Sequence, residues 1–177
     1  MIPTISKIAE LKDNTSTAII FDSIDQFPFS DFTDSEKNYV ALKLEKNSDC
    51  IVNKYPNLFF FFKPKNEKEN YIEREAARNA GSKLFDKLKE EKIETVQIAD
   101  FSKAELAPSF VEGLLLSGYL FDKYKKEKDD FLVKSIETVG NIISDSQIEE
   151  LQNVIQAVFY ARNLVNEPLS FLTATQF

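Results

Sequence analysis

Leu58-Phe59-Phe60-Phe61-Phe62 is the stretch that decides the fold. Five consecutive large apolar residues cannot be amphipathic at either the helical or the strand period. A run this short, covered on both faces, reads as an interior strand. Upstream, Cys50-Ile51-Val52 is a second apolar run, and Pro56-Asn57 between the two marks a turn, so the pair reads as a hairpin. A strand covered on both faces needs helices above and below it, and the sequence downstream supplies them.

From Tyr71 to Glu90 the pattern is helical. Ile72, Ala76, Ala80, Leu84 and Leu88 recur every fourth residue, and Ala77, Gly81 and Phe85 widen the stripe. The small residues at its middle predict a helix lying close on the sheet. Ile93–Ala99 alternates as a strand. Ser102-Lys103-Ala104-Glu105 has capping-box spacing. Pro108 six residues in predicts a short first turn, with the main helix running from about Pro108 to about Lys126. That helix is apolar nearly all round between Phe110 and Phe121, so it is expected to be covered on several sides. Lys123–Asp130 reads as a solvated, mixed-charge end, and Phe131–Val139 as a strand. Ser144-Asp145-Ser146-Gln147 caps a last helix whose stripe is Ile148, Leu151, Ile155, Val158 and Val165. Pro168 closes it.

Toward the N-terminus the signals are shorter. Residues 4–11 suggest a strand, and Thr17–Phe21 a buried one. Residues 22–38, rich in Asp and Ser, read as a loop, and Tyr39–Leu44 fits either a helical turn or a strand. The later alternation of strand and helix predicts an α/β layer with the sheet between helices.

Composition narrows the function. The 177 residues suffice for one domain with its own core. The net charge of −7 repels phosphate backbones and argues against nucleic acid as a partner. No stretch has the length of a membrane span, and no apolar leader follows Met1. A lone cysteine, Cys50, forms no internal disulfide. There is no histidine, which removes the commonest general base and zinc ligand. The four glycines are scattered, so no phosphate-cradling loop is present. No Gly-x-Ser-x-Gly and no Cys–His pair occurs either.

Two blocks carry a family resemblance. Ala161-Arg162-Asn163-Leu164-Val165-Asn166-Glu167-Pro168, followed by Leu172-Thr173, is similar to the junction segment of the leucyl aminopeptidase (cytosol aminopeptidase) family. Glu112-Gly113-Leu114-Leu115-Leu116-Ser117-Gly118-Tyr119-Leu120-Phe121-Asp122-Lys123-Tyr124-Lys125 resembles a run in that family's N-terminal domain, in the family's order. Ser170 and Ala174 depart from it, standing where the family often has Asn and Pro.

The resemblance implies a mixed sheet flanked by helices, a macrodomain-like three-layer arrangement. It implies a non-catalytic N-terminal domain over residues 1–165, with residues 166–177 opening a linker into a catalytic domain further along. In the family that second domain holds two divalent metals, zinc or manganese, around an Asn-Thr-Asp-Ala-Glu-Gly-Arg motif absent from this chain. Its own catalytic domain and further copies of itself, as a hexamer, are the partners implied, in the cytoplasm. The apolar restart Leu169–Phe177 suggests that the chain stops just past a domain boundary.

Arg162 and Asn166 are then candidate junction residues, with Asn163 beside them. Their other reading is helix-end solvation and capping. Glu112 is either a buried, hydrogen-bonded carboxylate or a polar gap in an apolar stripe. Asp122, with Lys123, Tyr124 and Lys125, is either a partner contact or a solvated helix end. No residue is expected to be catalytic or to bind metal. Two other functions remain open: a macrodomain-like module binding a nucleotide or ADP-ribose, and a free-standing interaction protein.

Overall fold

The computed structural model describes residues 2–26, 32–65, 69–126 and 133–168. The element order is β1 (Thr4–Ile8), β2 (Thr17–Ile20), a single 3-10 turn (Ile24–Gln26), α1 (Asp34–Lys46), β3 (Asp49–Lys54), β4 (Asn57–Phe62), α2 (Asn70–Glu90), β5 (Thr95–Asp100), α3 (Ala107–Ser117), β6 (Ser135–Val139) and α4 (Asp145–Asn166). Six strands form one sheet in the order β1-β6-β5-β2-β4-β3. All neighbours are parallel except β3, which returns antiparallel on β4 as the predicted hairpin.

From β2 the chain moves outward to β3 and β4 through α1. It then moves back across the sheet to β5 and β6 through α2 and α3. Right-handed crossovers in opposite directions put their helices on opposite faces. The two cores follow that rule. Leu58, Phe60 and Phe62 share a cluster with Ala18, Ile20, Val96, Ile98 and residues of α2, α3 and α4. Phe59 and Phe61 point the other way, to Ile19, Phe21, Val40 and Leu44 under α1. The phenylalanine run is covered on both faces, in three layers: α1, sheet, then α2, α3 and α4.

Several local expectations are corrected. Residues 22–38 are not all loop, because α1 begins at Asp34. Thr33 and Glu36 make a complete capping box there, so Asp and Ser density marked a helix start as well as a turn. Tyr39–Leu44 is helical. Ser102 caps nothing. The first turn of α3 is held instead by Asp100, whose Oδ2 accepts the Ala107 N–H at 2.7 Å, while Ser102 donates its own N–H and hydroxyl to Oδ1. Helix α3 ends at Ser117 with Gly118 as its cap, nine residues short of Lys126.

Of the small residues of α2, Gly81 serves a close approach to α3 rather than to the sheet: a Cβ on it would lie 2.0 Å from the Phe110 carbonyl oxygen. Strand β1 stops at Ile8, and β6 begins only at Ser135. The expectations for Leu169–Phe177, for Phe131 and Leu132, and for 127–130 lie outside the described residues.

Candidate functional site

The candidate site is the C-terminal end of α4 and the irregular segment after α3. Helix α4 starts at a full capping box, with Gln147 N–H donating to Ser144 and the Gln147 side chain accepting from the Ser144 N–H. Leu151 and Ile155 bury its inner face. One turn further, Phe159 meets the Tyr119 ring edge-on, with centroids 5.2 Å apart. The same face then turns polar, and Arg162, Asn163, Asn166 and Glu167 find partners on the last turn of α3 and the segment after it.

Arg162 donates through Nη1 to the Leu116 carbonyl at 3.0 Å, one of the carbonyls that the end of α3 leaves open. Its guanidinium also lies over the Tyr119 ring, 5.3 Å from the centroid. The Tyr119 hydroxyl donates to Asn163 Oδ1 and accepts from Asn166 Nδ2, each at 3.0 Å. Asn166 also donates to the Arg162 carbonyl at 2.8 Å. At the cap, Glu167 takes hydrogen bonds from both Lys123 and Tyr124. The Lys123 ammonium, followed by the Tyr124 hydroxyl, holds the Glu167 carboxyl below its ordinary value. The bond to Glu167 raises Lys123 and Tyr124 in turn.

Four of the sequence candidates can therefore be placed. Arg162 and Asn166 come together with Asn163 around Tyr119. Glu112 lies elsewhere, on α3, where Arg78 of α2 donates to it at 2.7 Å; it is hydrogen-bonded but only partly buried. Asp122 is in the loop, its carbonyl accepting the Lys125 N–H at 3.0 Å. Lys123 and Tyr124 are engaged with Glu167 rather than forming a plain solvated end. Tyr119 and Glu167, the organising residues, belong to the two blocks but carry no local signal of their own. The signal that would have found them is the pairing of those blocks itself, since segments that touch are read together.

A second feature is a cavity of about 440 Å³ at the carboxyl ends of β5 and β6, lined by Asp100, Glu105, Val139, Asn141, Ser144 and Gln147 among others. Burial pushes the Asp100 carboxyl up, against the bonds from Ser102 and the α3 amides. Open α/β sheets take ligands where the strand order reverses, here between β2 and β5. That crevice is laced shut. Gln26 accepts the Asp22 and Ser23 N–H groups and donates to the Phe101 carbonyl, and the Lys103 N–H donates to Asp22.

The chain has no histidine, and among the described residues no three His, Cys, Asp or Glu side chains gather to hold an ion. Among the described residues, no helix is long and apolar enough to cross a membrane.

Residues 65–128 match the model of the cytosol aminopeptidase family's N-terminal domain. This chain carries that N-terminal domain. The matched residues include Glu112–Lys125, the block that supplies Tyr119, Lys123 and Tyr124. A probable cytosol aminopeptidase of Clostridium tetani is 34% identical over 158 residues, covering 83% of this chain and 28% of that protein. One from Aquifex aeolicus is 32% identical over 106 residues, 57% of this chain and 21% of the relative. This chain thus spans less than a third of the curated relatives it matches. A lysine-to-glutamate mutant of tomato leucine aminopeptidase superposes with a TM-score of 0.71 over 99% of this chain and 41% of that one, at 14% identity. That likeness carries the fold, a mixed six-stranded sheet with helices on both faces.

Proposed function

We propose that this chain is the non-catalytic N-terminal domain of a metal-dependent, leucyl-type aminopeptidase of the cytoplasm. Its role is to support oligomer assembly and to position a catalytic domain that follows residues 166–177. The observation that carries this reading is the pinned end of α4. Arg162, Asn163, Asn166 and Glu167 are tied to Leu116, Tyr119, Lys123 and Tyr124, so the chain leaves the described fold in one fixed direction. A domain that aims a second one gains a fixed joint. The names of the relatives support the hydrolase assignment, and their greater length supports the second domain.

In this reading the chemistry belongs to the catalytic domain, where two metals would activate water and hold the peptide's free amine. A nucleotide-binding reading has the cavity at β5 and β6 in its favour. Against it, the cavity is faced by Asp100 and Glu105 and the crevice beside it is bridged by Gln26. Anionic ligands are disfavoured on both counts.

The test is hydrolysis of a leucyl substrate with zinc or manganese. The protein encoded by the full reading frame is expected to release leucine in a metal-dependent way. The purified 177-residue chain is expected to release none. Metal-dependent release by the 177-residue chain that survives repurification would overturn the assignment, and so would an inactive full-length protein.

A further inference from the structure

The apolar stripe read for α4 divides: Leu151 and Ile155 are buried, whereas Val158 and Val165 lie on a second apolar face. Val154, Val158, Ala161 and Val165 recur at i, i+4, i+7 and i+11, the alternating four-and-three spacing of a helix–helix seam. Leu151 one turn earlier joins this line to the core, but the line itself turns outward. Val154 is 42% exposed and Val165 85% exposed. Single exposed apolar residues need no explanation, whereas a register of them along three turns does. No Asp, Glu, Lys or Arg interrupts the line, because Arg162 is turned inward to Leu116. The last turn is also the part of α4 fixed by Tyr119 and Glu167, so the seam is held rigid where the chain leaves.

Resting on the function proposed above, we propose that this seam is a docking surface, and that its occupant is a helix of the catalytic domain carried by the same chain. The choice of occupant follows from length and tethering. The relatives extend well beyond the part this chain matches, which covers only 28% of the Clostridium tetani protein. A domain tethered through residues 166–177 meets the seam at an effective concentration of about millimolar, far above that of a second free copy. The seam has no charge to select a charged partner and presents branched and small side chains, which suit an apolar helix laid along it.

A cysteine reporter tests this directly, because the native Cys50 is buried and the labelled peptide can be read by mass spectrometry. Val165→Cys is made in the 177-residue chain and in the full-length protein, and each is treated with a maleimide. Gln156→Cys, exposed on another side of α4, is the control. In the full-length protein the residue-165 thiol is expected to react at least about tenfold more slowly than in the 177-residue chain, since a covered thiol reacts only through local opening. The residue-156 thiol is expected to react alike in both. Equal rates at residue 165 would overturn the proposal. So would protection that appears in the 177-residue chain and disappears on dilution, which would make a second copy the occupant. Leucine release measured on the same full-length sample separates the two failures: an active enzyme with a freely reacting residue 165 sinks the docking surface alone, and an inactive one sinks the functional reading beneath it.

Discussion

Gly113 of α3 has no side chain because the Arg78 carbonyl of α2 occupies the space: a Cβ there would lie 2.0 Å from that oxygen. Gly81 of α2 stands in the same relation to the Phe110 carbonyl of α3, also at 2.0 Å. The two helices therefore approach backbone to backbone at two points, and Arg78–Glu112 bridges them alongside. Backbone cannot swing aside as a side chain can. Gly81→Ala and Gly113→Ala are each expected to cost at least about 3 kcal/mol, the upper end of overpacking penalties. Urea unfolding followed by circular dichroism checks this; a loss under about 1 kcal/mol would mean that the helices can separate without harm.

The phenylalanine run gives a prediction that distinguishes a strand covered on both faces from a half-buried one. Phe60 packs under α3, with its ring centroid 5.9 Å from that of Phe110. Phe61 packs on the opposite face beside Phe21, at 6.2 Å. Both are fully buried. Phe60→Ala and Phe61→Ala are each expected to lose about 3–5 kcal/mol, and by similar amounts. In a strand with one wet face, one of the two would be nearly neutral.

What could be read in the sequence follows from the reach of the signal. Strand β4, helix α2 and helix α4 were legible because their apolar residues recur at a period set by the backbone alone. Helix α1 was legible only at Tyr39–Leu44, and there open between helix and strand, because only Val40 and Leu44 are buried on it, too few for a stripe. The end of α3 was misplaced because residues after Gly118 stay apolar for a different reason: Tyr119 leaves the helix to pack on Phe159 of α4. The Asp100 cap was invisible because it is made from the end of a strand seven residues earlier, outside any local capping pattern. Arg162 and Asn166 were found through resemblance, while their partners depended on which segments touch, and that is tertiary information.

Asp100 makes a pH prediction with a definite sign. Its carboxyl is raised in the folded state, by burial first, so the native chain takes up a proton before the unfolded one does. Stability from this group is therefore fully present below the unfolded carboxyl value near pH 4 and is lost as pH rises through the folded value. Asp100→Asn removes that dependence. The advantage of the native protein over Asp100→Asn in urea midpoint is expected to be larger at pH 4 than at pH 7. An advantage that grows toward pH 7 would show that the bonds from Ser102 and Ala107 outweigh burial.

Tyr119 is the hub of the pinned helix end, and two substitutions separate its contributions. Tyr119→Phe keeps the ring against Phe159 and under Arg162 but deletes the hydroxyl shared by Asn163 and Asn166. The site is partly open to water, so the loss is expected to be about 1 kcal/mol. Arg162→Ala removes the bond to the Leu116 carbonyl and the cation over the ring, and is expected to cost about 1 kcal/mol once solvent screening is allowed for. The two residues share one cluster, so their effects are not expected to add; a double-mutant cycle measures the coupling. In hydrogen exchange of the 177-residue chain, both variants are expected to loosen residues 162–166 while leaving β4 and β5 protected. In the full-length protein the same substitutions are expected to weaken assembly or thermal stability more than the turnover number, because in the proposed function neither residue takes part in the chemistry. A fall in kcat at unchanged assembly would place the end of α4 closer to the reaction than a joint should be.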